Sequence, residues 1–167
     1  MRNKWFVAYK KRGNDIFDMS GSTVVEPPHM TYQADPFPYT DGNRRCLFVE
    51  DYNYSSGNIS VYDVSDDGLT SLTTVIQESR HLSYPFVFGH QDEIWMIPET
   101  GWDNRIDLYR CDAFPYSWTN YKTLVYEPGF DSTLVKNDGK FWLFTSRGND
   151  GELIIYCADD LLGDWTH

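Results

Sequence analysis

The sequence predicts an all-β fold, a β-propeller built from blades of four antiparallel strands. Three segments resemble one another, at intervals of 49 residues from Asp35 to Tyr84 and 47 residues from Tyr84 to Asp131. They read ADPFPYTDGNRRCLFVED, SYPFVFGHQDEIWMIPET and FDSTLVKNDGKFWLFTSR. A repeat of this length is typical of solenoids and propellers. Aromatic residues make up 17% of the chain, which favours strands, and helical periodicity is nearly absent.

Each repeat contains the same four strands in the same order. The first strands are short and apolar and are predicted over 36–39, 85–88 and 133–135. The second strands are continuously apolar, which predicts burial on both faces; they cover 46–49, 94–97 and 141–145. The third strands all end on Tyr and cover 59–62, 106–109 and 153–156. Weaker fourth strands are predicted over 72–76, 121–125 and 162–165.

These strands divide the chain into repeats at about 31–79, 80–128 and 129–167, with a partial preceding blade over 1–26. Trp118 and Trp165 occupy equivalent positions and are predicted to pack against a neighbouring blade. Three to three and a half blades are fewer than the ~4–8 that close a ring. Because the pattern stops part-way through a blade at 164–167, we expect an incomplete propeller domain. Self-association, missing blades on a longer chain and a compact three-sheet variant are the alternatives.

The charge of the chain limits its partners. Its formal net charge is −11, so the basic face of a nucleic-acid-binding protein is not expected. No apolar run is long enough for membrane insertion. Three cysteines, Cys46, Cys111 and Cys157, form no paired motif, which favours free thiols and a cytoplasmic location. The four histidines have no ligand spacing, so we expect neither a metal nor another cofactor.

The repeat alignment also predicts a functional site. Asp35, Tyr84 and Asp131 are equivalent residues at the starts of the innermost strands, which line the central channel of a propeller. Two carboxylates facing one pocket are the groups that glycoside hydrolysis requires. Three residues are therefore candidate catalytic groups: Asp35, Asp131 and Glu99. Five are candidate ligand-binding residues, through aromatic stacking, hydrogen bonding or charge: His81, Tyr84, Trp95, Glu50 and Arg105.

The middle repeat carries a resemblance to a known family. Four segments of this repeat are HLSYPFVF over 81–88, EIWMIPE over 93–99, LYR over 108–110 and Phe114-Pro115. Together they resemble the N-terminal domain of plant glucosamine inositolphosphorylceramide transferases and of bacterial relatives. Some of those relatives carry formyltransferase or glycosyltransferase modules. The resemblance extends from about Trp5 to His167.

That domain is similar in turn to the five-bladed propellers of arabinanase, xylosidase and fructosidase glycoside hydrolases. The resemblance implies a five-bladed type of propeller, with Asp35 before Pro36 at the position of a base or nucleophile and Asp131 as a second carboxylate. It also implies that the general acid Glu of the hydrolases belongs to a later blade, beyond this chain.

Three functions follow as hypotheses. The first is a carbohydrate-recognition or accessory domain in a glycan-modifying system that includes glycosyltransferases or formyltransferases. The second is a glycosidase-like enzyme using Asp35 with Asp131 or Glu99. The third is a scaffold that completes its propeller by self-association. Under the first two hypotheses the partner is a carbohydrate or glycoconjugate.

Overall fold

The protein is built from antiparallel sheets. The computed structural model describes residues 5–11, 13, 15, 17–27, 32–53, 55–100, 103–148 and 151–167. Among these residues there are thirteen strands in four sheets. Within the same part of the chain, no helix has the length and apolar character needed to cross a membrane. The prediction of an all-β fold is confirmed.

Each sheet contains consecutive strands in sequential order. A two-stranded sheet comes first, with β1 (Val7–Tyr9) and β2 (Thr23–Val25). Blade 1 contains β3 (Tyr32–Asp41), β4 (Arg44–Tyr52), β5 (Gly57–Ser65) and β6 (Gly68–Ile76). Blade 2 contains β7 (Ser83–His90), β8 (Glu93–Glu99), β9 (Ile106–Ala113) and β10 (Ser117–Val125). Blade 3 contains β11 (Phe130–Asn137), β12 (Lys140–Arg147) and β13 (Glu152–Ala158).

The first strands of the three blades lie side by side. β7 contacts β3, and β11 contacts both β7 and β8. This is the arrangement of innermost strands around the axis of a propeller. It brings the repeat-equivalent ends of β3, β7 and β11 to one place.

The core lies between the blades rather than within one sheet. Phe48 and Val61 of blade 1 pack against Met96 and Tyr109 of blade 2 in one buried cluster. On the opposite face of blade 2, side chains such as Leu108 join a second cluster with blade 3, formed in part by Phe141, Leu143 and Ile154. Burial of the second strands of blades 1 and 2 against a neighbour on each side explains their continuous apolar sequence.

The two equivalent tryptophans pack as predicted. The Trp118 ring stands edge-to-face on Phe48 of blade 1, with centroids 5.8 Å apart. Trp165 packs against the cluster between blades 2 and 3. Each indole N–H donates to a carbonyl a few residues earlier, Pro115 or Leu161. One detail differs from the prediction, because Trp118 belongs to β10 and does not precede it.

The predicted fourth strand of the last repeat is wrong over 162–165. The side chain and carbonyl of Asp160 accept the backbone N–H groups of Leu162 and Gly163, so the chain turns there. Pairing with β13 is limited to Thr166, which exchanges two backbone hydrogen bonds with Cys157. The innermost strands are also longer than predicted, because polar residues at both ends continue the pairing.

Candidate functional site

A β-bulge interrupts each innermost strand at the same point of the repeat. The register shifts between Ala34 and Phe37 in β3, and at the equivalent points of β7 and β11. Asp35, Tyr84 and Asp131 occupy these bulges with φ angles of 50°, 44° and 52°. A left-handed backbone is uncommon for residues other than glycine, and it marks places where the surrounding structure imposes the conformation. The predicted alignment of the three residues therefore corresponds to a repeated backbone feature inside the strands, not at their first residues.

Hydrogen bonds connect the three bulges. The backbone N–H of Tyr84 donates to Oδ2 of Asp35 at 3.1 Å, which ties blade 2 to blade 1. The Tyr84 hydroxyl shares a 2.9 Å hydrogen bond with Oγ1 of Thr133 in blade 3. The backbone N–H of Asp131 donates to Oε2 of Glu99 at 3.2 Å, which ties blade 3 to blade 2. Each blade thus helps to hold the bulge of its neighbour.

Two further carboxylates reach the same place from the second strands. Glu50 lies opposite Ala34 in the β3–β4 pair, and Glu99 lies opposite Ser83 in the β7–β8 pair. Both therefore stand beside the residue that precedes a bulge. We name Asp35, Glu50, Glu99 and Asp131 the carboxylate cluster. Glu50 is only 5% exposed.

The electrostatics of the cluster show that its members act on one another. Burial, followed by the negative charges of Asp35, Glu99 and Asp131, raises the pKa of Glu50 to about 8. Burial and the negative charge of the adjacent Asp131 also raise the pKa of Glu99. The pKa of Asp35 is raised by burial, an effect that the N–H donated by Tyr84 opposes. Some of these carboxyl groups are consequently protonated near neutral pH.

His81 lies next to the cluster as an uncharged side chain. Its Nδ1 accepts the backbone N–H of Gly57 at 3.0 Å, so the ring proton is on Nε2, 3.3 Å from Oε1 of Glu50. Burial lowers the pKa of His81. The close approach requires glycine at position 57, since an added Cβ would lie 2.5 Å from Cε1 of the imidazole. The ring also meets Tyr52 edge-to-face.

A small cavity opens beside these groups. Its volume is about 210 Å³ and its lining consists of Trp5, Tyr32, Ala34, Asp35 and Glu50. Two aromatic rings and two carboxylates are the groups expected in a site for a polar ring-shaped ligand. A larger cavity of about 570 Å³ lies between the β1–β2 hairpin and the β5–β6 turn, but no member of the carboxylate cluster lines it.

Two predicted ligand-binding residues lie elsewhere. Trp95 is 2% exposed and belongs to the core between blades 2 and 3, where its indole N–H donates to the His90 carbonyl. A ring buried on both faces offers no surface for stacking on a sugar, so this part of the prediction needs correction. Arg105 pairs with Asp107 at 3.0 Å and lies 3.7 Å from Asp103, in a network that also contains Arg80.

The other predicted residues come together as one site: Asp35, Asp131, Glu99, Glu50, His81 and Tyr84. Sequence reasoning missed Thr133, whose hydroxyl shares a hydrogen bond with Tyr84, and Ser83, which lies opposite Glu99 in the β7–β8 pair. The available signal was their position next to the aligned residues, Ser83 directly before Tyr84 and Thr133 two residues after Asp131. Among the described residues, no group of three His, Cys, Asp or Glu side chains is arranged to hold a metal ion.

Comparison with known proteins gives the family. The family model for the N-terminal part of glucosamine inositolphosphorylceramide transferase 1 matches residues 14–167. This chain belongs to that family. The transferase from Oryza sativa subsp. japonica is 39% identical over 145 residues, which cover 81% of this chain and 20% of the relative. The Arabidopsis thaliana transferase is 35% identical over 144 residues, with 80% and 19% coverage. The domain therefore spans about a fifth of the length of these relatives.

Solved structures show the fold of the domain. A family 117 glycoside hydrolase, Zg3597 of Zobellia galactanivorans, superposes with a TM-score of 0.62 at 13% identity, over 96% of this chain and 60% of that protein. The catalytic domain of a Microbacterium saccharophilum β-fructofuranosidase gives 0.61 at 14% identity, over 87% and 50%. The α-L-arabinofuranosidase PaAbf62A of Podospora anserina gives 0.61 at 14% identity, over 90% and 55%. The expected resemblance to five-bladed propellers of glycoside hydrolases is confirmed at the level of the fold.

Proposed function

We propose that this domain is a carbohydrate-recognition module of a glycosyltransferase-associated, glycan-modifying protein. The observation that carries the proposal is the convergence of four carboxylates, a neutral histidine and a tyrosine at one end of the innermost strands. The relatives are named as glycosyl transferases, and this domain is similar in sequence to the N-terminal part of their family.

The groups at this site suit a polyhydroxylated ligand. Carboxylate oxygens accept hydrogen bonds from sugar hydroxyls, and charge-assisted bonds of this kind are about twice as strong as neutral ones. Trp5 is 62% exposed beside the cavity, so its ring can cover an apolar sugar face. The hydrogen bonds between the bulges keep Asp35 and Tyr84 in place before a ligand arrives.

Binding to an array of glycans tests this function. We expect the wild-type domain to retain a defined set of glycans and Asp35→Asn to bind that set at least ~10-fold more weakly, because a charge-assisted acceptor is lost. Asparagine can still accept the Tyr84 N–H and tolerates the left-handed backbone, so the fold should persist. The exposed Asp164→Asn is the matched control. Retention of no glycan by the wild type, or of the same set by Asp35→Asn, would contradict the proposal.

A glycosidase is the second candidate, and a carboxyl group that stays protonated beside a second carboxylate favours it. Glu50, with its pKa of about 8, is protonated at neutral pH beside Asp35, as a general acid beside a second carboxylate would be.

A panel of aryl glycosides separates the two candidates. Under the recognition proposal, we expect the wild type and Glu50→Gln to release the aryl group at the same background rate for every sugar. Turnover by the wild type that Glu50→Gln or Asp35→Asn lowers by ~100-fold or more would establish an enzyme, since general acid–base catalysis alone contributes ~10²–10⁴-fold.

A further inference from the structure

Blade 3 has a second apolar face, which points away from blade 2. Side chains alternate between the two faces of a strand, and those of Phe141, Leu143 and Ile154 pack against blade 2. The side chains between them therefore point the other way. We name five of them the outer face: Val135, Trp142, Phe144, Leu153 and Ile155. They form adjacent rows of the sheet, because Val135 pairs with Trp142 and Phe144 pairs with Ile155.

The equivalent face of blade 2 is covered. A shift of 47 residues, the interval between the second and third repeats, relates the outer face to five residues of blade 2: Phe88, Trp95, Ile97, Ile106 and Leu108. The last four are at most 2% exposed, because blade 3 packs on them. The same kind of apolar surface thus occurs twice in the chain, and in blade 2 it serves as a contact between two sheets.

The outer face of blade 3 lacks such a cover in the part of the chain that the structure describes. Leu153 is 62% exposed and Val135 is 45% exposed, while Trp142 and Phe144 are partly exposed. A contiguous apolar patch of this kind marks an interaction surface, since its exposure to water is unfavourable.

The distribution of charge favours a second copy of this chain as the occupant. The chain has a net charge of −11, so two copies repel each other through most of their surfaces. The segment 130–158 contains three basic and four acidic residues, which leaves a net charge of only −1. Lys136 stands over the inward-facing ring of Phe141, and Lys140 at the start of β12 pairs with Asp159 at 3.1 Å. The outer face itself is uncharged, so two outer faces can meet without like charges in contact.

We propose that the outer face of blade 3 is an interface between two copies of this chain, related by a two-fold axis. A two-fold contact uses the same patch on both copies, and this patch is compatible with itself in polarity and charge. Each copy then covers on the other the residues whose equivalents in blade 2 are covered by blade 3. The two sheets would pack face to face about 10 Å apart. The inference is independent of the proposed carbohydrate recognition.

The width of the sheet limits the strength of this contact. Blade 3 has three strands, which span about 14 Å at the usual spacing between strands. The interface is therefore at the small end of specific protein interfaces, and we expect a weak, reversible dimer, not an obligate one.

Sedimentation equilibrium of the whole chain, from low micromolar to near-millimolar concentration, tests the proposal. We expect the mass to rise with concentration from the 19.5 kDa of one chain towards twice that value. Leu153→Arg should weaken the association at least ~10-fold, because it removes apolar contacts and brings two like charges together across the axis. Val24→Arg is the matched control, since Val24 is a comparably exposed apolar residue in β2. Unfolding curves of both variants establish that they fold.

Hydrogen exchange at low and high concentration locates the contact. Protection should increase with concentration in β12 and β13 and remain constant in β4 and β5. A chain that stays monomeric at every concentration would overturn the proposal. A dimer that Leu153→Arg leaves intact, or that Val24→Arg weakens equally, would overturn the assignment to this face. Assemblies that grow beyond the dimer would overturn the two-fold arrangement, because a closed two-fold contact stops at two copies.

Discussion

The wild-type domain should lose stability as the pH rises from about 4.5 to 8, and Glu50→Gln should lose much less. The pKa of Glu50 is about 8 in the folded protein and about 4.5 in the unfolded chain, so the folded state binds more protons in this interval. Stability falls with rising pH wherever the folded state binds the extra proton. Below about pH 4 Glu50 is largely protonated in both states, and the two proteins should be about equally stable. Near pH 9 the variant should be more stable, by at most on the order of 5 kcal/mol, since each unit of pKa difference corresponds to about 1.4 kcal/mol.

Urea denaturation at a series of pH values measures this difference. The surface variant Glu152→Gln serves as the control and should follow the wild type at every pH, because its side chain is exposed. Some dependence on pH will persist in Glu50→Gln, since burial also raises the pKa values of Asp35 and Glu99. Identical pH profiles for the wild type and Glu50→Gln would show that Glu50 is not buried among negative charges.

Replacing Asp107 by alanine should cost about 3–5 kcal/mol of the free energy of unfolding. Asp107 is fully buried and its carboxylate accepts hydrogen bonds from Arg80 at 2.9 Å, Asn120 at 3.2 Å and Thr123 at 2.6 Å. It also pairs with Arg105. Its removal takes one carboxylate partner from Arg80, which keeps Glu78 and Asp103, and leaves Asn120 and Thr123 without their common acceptor. Each buried donor left unsatisfied costs about 1–3 kcal/mol, which together with the lost ion pair accounts for the expected total.

The midpoint of thermal or urea denaturation reports this loss. Asp66→Ala provides the matched control, because Asp66 also pairs with an arginine, Arg45 at 2.7 Å, but its side chain is 85% exposed. An exposed pair contributes little, so the control should unfold like the wild type. Asp107→Asn keeps the shape and one acceptor and should fall between the two. A loss in Asp107→Ala no larger than in Asp66→Ala would contradict the central role of this network.

The sequence was sufficient to predict the fold and three positions of the candidate site. The repeat aligned Asp35, Tyr84 and Asp131, and because a propeller places equivalent residues at one end of its axis, the alignment also predicted their convergence. The left-handed bulges could not be predicted, since a bulge depends on how two strands pair. That pairing places Glu50 and Glu99 beside the bulges.

Two residues that were predicted to bind ligand, Trp95 and Arg105, lie away from the site for a physical reason. A tryptophan in an apolar strand can face a cavity or a neighbouring blade, and the pleat and register of the strand determine which of the two it faces. Trp95 faces blade 3. The network around Arg105 was equally difficult to predict. Its aspartates, Asp103 and Asp107, are near in sequence, but Arg80, which shares them, comes from the segment between blades 1 and 2.

The repeated bulge has a consequence for how ligand preference can change. The same left-handed kink occurs whether the residue is an aspartate or a tyrosine, so the blade determines where the side chain is presented and the side chain determines only its chemistry. Each newly duplicated blade would bring one more interchangeable group to the axis without any remodelling of loops. Specificity in such a domain can therefore evolve by single substitutions at a few positions that the backbone has already fixed.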